Sequence, residues 1–309
     1  MAYPKVGGHP DYTNTGAKFI PEIWSGKILK KFYDYTLLSK ITNTDYEGEI
    51  KKMGDTVIIR SLATVSISDY VVGQTLNYER PTSTPTSLSI DKGKYWALEL
   101  DDVMKVQSDI QLFSKWTEDA AMQMKISIET AFLADVYTSV HASNKGATAG
   151  VKSASINLGA STTPLQITKT NVLDILIDCG TVLDEQNVPE TGRWIVIPTW
   201  MAGLIKKSDL KDASLTGDPK SPIRNGLIGM IDRFTLYNSN LVDTTADGGG
   251  QTAYNIMFGT NEAITFATQL TETETIRSQD TFADRIRGLQ VYGYKTVQPV
   301  CYGLLYAYK

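Results

Sequence analysis

The stretch from Ser108 to His141 reads SDIQLFSKWTEDAAMQMKISIETAFLADVYTSVH and contains neither Gly nor Pro. Phe113, Trp116, Ala120, Met124, Ile128 and Phe132 recur at intervals of three and four, the spacing of one stripe on a helix. Ser108 and Gln111 have capping-box spacing, so that each side chain can satisfy the other residue's backbone N–H. Lys115/Asp119 and Lys125/Glu129 stand four apart and are expected to pair on the wet side. His141 falls in the last turn, where positive charge suits the helix dipole. The spacing predicts one helix over 108–141, about 51 Å long at roughly 1.5 Å per residue, against a usual length of about 11–12 residues. In a chain otherwise rich in strand and turn signals, such a helix is a beam.

Before the beam, residues 1 to 20 carry Gly7, Gly8, Pro10 and Gly16 with few apolar residues and read as a loose arm. Pro21 to Lys40 has a helical pattern of Ile23, Trp24, Ile28, Leu29, Phe32 and Leu37, with Pro at its start. Its aromatic residues suggest docking onto the chain's own core or onto a neighbour. Thr56–Ile59 reads as a strand, and Val65–Val72 alternates apolar and polar residues. Asn77–Ser87, NYERPTSTPTS, reads as an exposed loop, and Leu88–Leu100 is extended again. Residues 54–100 therefore look like two long antiparallel arms with a soft tip. Such a hairpin has too little core to stand alone and needs another surface to lie on.

After the beam, 143–170 reads as loop and short strand, and Thr170–Gln186 as a second helix with Val172, Leu173, Leu176, Ile177, Val182 and Leu183 on its apolar side. Trp194–Pro198 reads as a buried strand, Thr199–Lys207 as a short helix and Lys211–Arg224 as a turn-rich loop. Gly226–Asn238 is strand-like, and SNLVDTTADGGGQ at 239–251 reads as a flexible insert. Tyr254–Phe258, Ala263–Ala267, Thr271–Arg277, Leu289–Gln298 and Tyr302–Tyr308 are the remaining strands. The irregular order of helices and strands makes the class α+β, not a repeated βαβ.

At 309 residues the chain has room for one to three domains, and 42% hydrophobic with 21% charged residues describes an ordered protein. A net charge of −4 argues against a protein whose main task is gripping nucleic acid. Cys179 and Cys301 lack zinc-ligand or redox spacing, which favours a reducing compartment. The polar N-terminus reads as no signal peptide, and no apolar run approaches the ~18 residues of a membrane helix.

Chemistry is sparse. His9 lies in the loose arm and His141 at a helix end, where surface or capping roles are the ordinary ones. There is no P-loop, dinucleotide fingerprint or nucleophile elbow. The run Gly248–Gly250 beside Asp247 is more often a flexible tip than an anion cradle. Asp101-Asp102 and Glu118-Asp119 read as solvated charge, and Cys179 as a small core residue. No catalytic residue, cofactor or metal ligand is assigned, and no enzyme is expected. A hairpin and an arm without cores of their own must be covered by neighbouring subunits, which points to assembly.

Several stretches carry a resemblance. They are FIPEIWSGKILKKF, GDTVIIR, DYVVGQTLNYE, WALELDDVMKVQSD leading into the beam, RNGLIGMIDRFTLYNSNL, and FADRIRGLQVYGYKTVQP. In this order the chain resembles the major capsid proteins of tailed bacteriophages, the Hong Kong ninety-seven fold, from about Phe19 to the end. The resemblance implies an N-terminal arm at 1–52, an extended hairpin loop at 53–100, and a peripheral domain at 101–167 with its spine helix at 108–141. It implies an axial domain at 168–262 and return strands at 263–309 that complete both domains. It implies a subunit that assembles with itself into hexamers and pentamers of an icosahedral head around double-stranded DNA, held only non-specifically, with no membrane. Portal and decoration or minor capsid proteins are further partners of such a subunit, which is built in the host cytoplasm and ends in the virion. Some relatives carry a long N-terminal scaffolding segment; with a short arm here, any scaffolding is expected from a separate protein. Some relatives are crosslinked through Lys and Asn, but nothing around Lys92 and Lys94 carries that over. The assembly candidates are Trp24, Phe32, Tyr70, Tyr78, Arg80, Trp116, Phe132, Arg277, Arg285 and Arg287. Two other readings are a non-viral encapsulating shell protein and, from another class, a carboxylate-dependent hydrolase near the Gly-rich insert.

Overall fold

The computed structural model describes residues 36–46, 56–60, 63, 65–83, 85–102, 112–208, 229–247 and 249–309. The stripe does form a helix, over Leu112–Val136, while the capping pair Ser108/Gln111 lies outside the described residues. The helix stops at Val136, short of the expected His141, because side chains take its last carbonyls. Thr138 Oγ1 donates to the carbonyl of Asp135 at 2.8 Å, and the Tyr302 hydroxyl donates to that of Val136 at 3.0 Å. A 3-10 turn follows at Tyr137–Ser139, and the chain becomes extended at Val140. His141 instead caps a second short turn, Ala142–Asn144, its Nδ1 accepting from the Ser143 N–H at 3.3 Å. Glu129 also departs from expectation: it is fully buried, not on the wet side.

The spine helix lies on a three-stranded antiparallel sheet in the order β10-β11-β3, made of β3 (Lys92–Asp101), β10 (Ile264–Arg277) and β11 (Ala283–Thr296). The two strands expected at 263–267 and 271–277 are one, with a register shift between Thr268 and Leu270. Helix and sheet are joined by an edge-on contact of Phe132 with Tyr294, ring centres 5.1 Å apart. The Tyr294 hydroxyl donates to Asp135 at 2.8 Å, and Lys94 Nζ donates to Ser127 at 2.6 Å.

The larger sheet follows the order β4-β12-β9-β5-β7-β6, with β8 also on β9. Its strands are β4 (Leu165–Gln166), β5 (Arg193–Ile197), β6 (Met230–Ile231), β7 (Phe234–Asn238), β8 (Thr244–Ala246), β9 (Thr252–Thr260) and β12 (Tyr302–Tyr308). β5 reads RWIVI and is buried throughout, the pattern of a strand covered on both faces. The helix Val172–Glu185 packs beside β12, burying Val172, Ile175, Leu176, Cys179, Val182 and Leu183. The helix Thr199–Lys207 has the expected bounds. The insert at 239–251 is not wholly flexible, since β8 within it pairs with β9. One continuous core runs from Leu37 and Phe132 at the spine through Trp194 and Phe258 to Leu305.

The expected hairpin 54–100 divides in two. Its base belongs to its own subunit: β1 (Thr56–Ile59) pairs with β2 (Thr86–Ser89), and β3 pairs with β11. Ile59, Leu88 and Ile90 form a small core with Ala267. Only the segment between β1 and β2 stands out, and every residue from Val65 to Ser83 is exposed. Among the described residues no helix is long and apolar enough to cross a membrane.

Candidate assembly surfaces

The outstanding segment is a hairpin held by polar contacts. At its tip the Gln74 N–H donates to the Val71 carbonyl at 3.0 Å, with Gly73 at φ 88, in the left-handed region that glycine adopts without strain. Lower down, Glu79 accepts from the N–H and the hydroxyl of Ser66, both at 2.7 Å. Those bonds hold the Glu79 carboxyl below its usual range. The apolar side chains find no cover: Ile67 is 98% exposed, Tyr78 92% and Val72 91%. Tyr70 and Arg80 are exposed too. A run of large apolar residues with no core beneath it is the mark of an interaction surface.

A second surface lies between the spine helix and β3. The stripe closes on the sheet only toward its C-terminal end, where Ile128 and Phe132 are buried. Trp116, on the same stripe toward the N-terminal end, is 36% exposed. At that end helix and strand leave a groove of about 590 Å³ between them, lined by Tyr95, Trp96, Leu98, Trp116, Ala120 and Met124 among others. Tyr95 and Trp96 were missed as candidates because strand alternation presents them as ordinary pleat residues.

The arginine candidates gather at the far end of the three-stranded sheet. Arg285 stands opposite Glu99 in register and donates to it at 2.6 Å; Arg287 stands opposite Glu274 and pairs with it. Arg277 donates to Asp102 and, at 2.9 Å, to Asp284. Its hydrogen bonds to the Asp102 and Asp284 carboxylates raise the Arg277 pKa further. Exposed cross-strand pairs of this kind fix register more than they stabilise. Beyond them Phe282 is largely exposed, a lone aromatic in a polar turn that no periodic pattern flags. Trp24 and Phe32 lie outside the described residues. Phe132, also a candidate, is instead fully buried in the subunit's own core, and the other described candidates fall on three separate surfaces and form no single pocket.

Asp247 accepts from the N–H groups of Gly249 and Gln251, and Asp243 from the Asn255 side chain, so both carboxylates beside the Gly-rich insert shape their own turn. Burial pushes the thiols of Cys179 and Cys301 up, which keeps them protonated and unreactive. Among the described residues no group of His, Cys, Asp and Glu is placed to hold a metal.

The comparisons agree with this geometry. No curated protein matches the chain. In shape it is similar to a chain from Mycobacterium phage Che8, with TM-score 0.77, 25% identity, and coverage of 93% of this chain and 97% of that one. It is similar to the capsid of cyanophage P-SCSP1u at TM-score 0.70 and 15% identity, covering 99% of both chains. It is also similar to the capsid of cyanophage Pam1 at TM-score 0.70 and 12% identity, covering 93% of this chain and 96% of that one. These likenesses bear out the expected α+β capsid fold. A family model described as phage capsid protein matches residues 84–301, well over half the chain, and the chain therefore belongs to the phage capsid protein family as a structural major capsid protein of the virion head.

Proposed function

We propose that this subunit assembles with itself into hexamers and pentamers of a closed icosahedral head around double-stranded DNA. The observation that carries the reading is the hairpin from Val65 to Ser83, whose large apolar side chains have no core in their own subunit. In the shell it lies over an adjacent subunit, so that Ile67, Tyr70, Val72 and Tyr78 lose their water there. The three-stranded sheet with its spine is the peripheral domain and the larger sheet with its two helices the axial domain, the last strands serving both. The part of the expected arm upstream of Thr36 lies outside the described residues. Portal and minor capsid proteins join the same shell, and assembly takes place in the host cytoplasm. DNA is met non-specifically, in keeping with a net charge of −4.

The test is the triple change Ile67→Ser, Val72→Ser, Tyr78→Ser. Each site is exposed, so the subunit should keep the wild-type unfolding midpoint, within the roughly ±0.5 kcal/mol usual for surface changes. Negative-stain images of the wild type should show closed shells or capsomer rings, and those of the variant free subunits. Normal shells from the variant would remove the hairpin from the assembly mechanism, and a wild type that forms only a small discrete oligomer would sink the reading as a whole.

A further inference from the structure

Glu129 sits on the spine helix, yet its carboxylate serves the first residues of the described chain. Its Oε2 accepts from the backbone N–H of Leu37 at 2.6 Å and of Leu38 at 3.2 Å. The residue is 0% exposed, and its Oε1 has no hydrogen-bond partner. Downstream the same segment is tied to β10: the Asn43 N–H donates to the Ile264 carbonyl at 3.0 Å, and the Phe266 N–H to the Asn43 carbonyl at 2.9 Å. Glu129 is thus the clasp at the upstream end of residues 36–46, beside the point where the arm begins.

A space of about 370 Å³ next to the clasp is lined by the short helix Leu38–Ile41 and its flanks, the spine, β10 and β11. The short helix and its flanks contribute Thr36, Leu38, Ser39, Thr42 and Thr44; the strands contribute Phe266, Thr268 and Gln290. Apart from Glu129, the one ionisable lining residue is Lys125, one helical turn away and exposed, and no ion pair joins the two.

We propose that Glu129 is a proton-operated clasp: the closed root of the arm takes up a proton, and raising the pH loosens it. Ionised, the buried carboxylate keeps one oxygen without a partner and meets no cation among the described residues, a costly state in a low-dielectric surrounding. Adding a proton removes the charge, while the remaining carbonyl oxygen still accepts both N–H groups. When the clasp opens, water solvates the carboxylate and the ionised form is no longer penalised. Burial outweighs the two backbone hydrogen bonds and raises the closed-state pKa above the ordinary 4.5. A carboxyl held above its ordinary value favours the closed form at low pH and loses that contribution as pH rises through the closed-state value. The clasp acts within one subunit, so its test does not depend on shell assembly.

The experiment follows amide exchange at Leu37 and Leu38 in the unassembled full-length chain, corrected for the intrinsic pH dependence of exchange. In the wild type, protection should fall by up to about tenfold per pH unit above 4.5 and level off past the closed-state value. In Glu129→Gln, whose amide carbonyl keeps the bonds but cannot ionise, protection should be high and flat. A flat wild-type profile, or the same slope in the variant, overturns the proposal. If the variant does not fold, the carboxyl carbon of Glu129 in the wild type decides by its NMR titration. A midpoint above 4.5 supports the clasp, and one at or below it overturns the clasp.

Discussion

The Tyr302 hydroxyl donates to the backbone carbonyl of Val136 across 3.0 Å, joining residues 166 apart in sequence at the place where the spine ends and the larger sheet begins. Burial pushes the Tyr302 phenol up to about 12, so it remains a donor at any physiological pH. Tyr302→Phe removes this hydrogen bond, which costs about 0.5–1.5 kcal/mol. The urea midpoint should fall with an unchanged slope. An unchanged midpoint would mean that the carbonyl finds another donor.

Phe132 and Trp116 share one helical stripe but not one environment. Phe132→Ala removes a fully buried ring that meets Tyr294 edge-on and should cost about 3–5 kcal/mol, enough to leave much of the chain insoluble. Trp116→Ala, at the half-open groove, should leave a soluble folded subunit and weaken assembly instead. Thermal unfolding and shell yield, measured on both variants, separate the two roles. Equal losses of stability would place Trp116 in the core after all.

Asp184 accepts from Arg193 at 2.7 Å and from Arg233 at 2.8 Å. Burial works against its ionisation, but the two guanidinium hydrogen bonds prevail and hold the carboxyl below its ordinary 3.8. A depressed carboxyl contributes stability that is present above the ordinary value and lost as pH falls through the folded one. Asp184→Asn should therefore be less stable than wild type at neutral pH, with the gap narrowing below pH 3.8. A gap that stays constant through acid denaturation would assign the loss to packing.

Gly293 on β11 lies directly under the backbone of β2, where a Cβ would overlap the Ser89 carbonyl. A backbone atom cannot rotate aside, so Gly293→Ala should lift β2 from the sheet at a cost of about 1–3 kcal/mol. Limited proteolysis should then cut faster between β1 and β2, with the larger sheet still protected. Unchanged cutting would show that β1 and β2 move together as a unit.

Elements with a strong local pattern were legible in the sequence. Thr199–Lys207 has its expected bounds, and the apolar run around Trp194–Ile197 is the buried strand it promised. The stripe on the spine identified the face that meets the sheet. It could not say how far the sheet follows the helix, and so could not tell the half-open Trp116 from the buried Phe132. β8 was hidden because Thr244 and Thr245 sit among Asp and Gly, and only pairing with β9 makes them a strand. The burial of Glu129 was beyond any local reading, since the amide it serves on Leu37 lies 92 residues away. The exposed hairpin was legible only in part: the Pro-rich run Asn77–Ser87 marks an exposed loop, whereas the alternation over Val65–Val72 forms no strand and buries neither face.

β12 lies between β4 and β9 inside the larger sheet and contributes Tyr302, Leu304, Leu305 and Ala307 to the core. β4 has no other strand partner among the described residues. The sheet therefore cannot close until translation has delivered Tyr302–Tyr308. A polypeptide released early from the ribosome lacks an interior strand and leaves β4 and one edge of β9 bare. Entry to the shell is thereby restricted to chains read through to this strand, a check on the message that requires no inspecting enzyme.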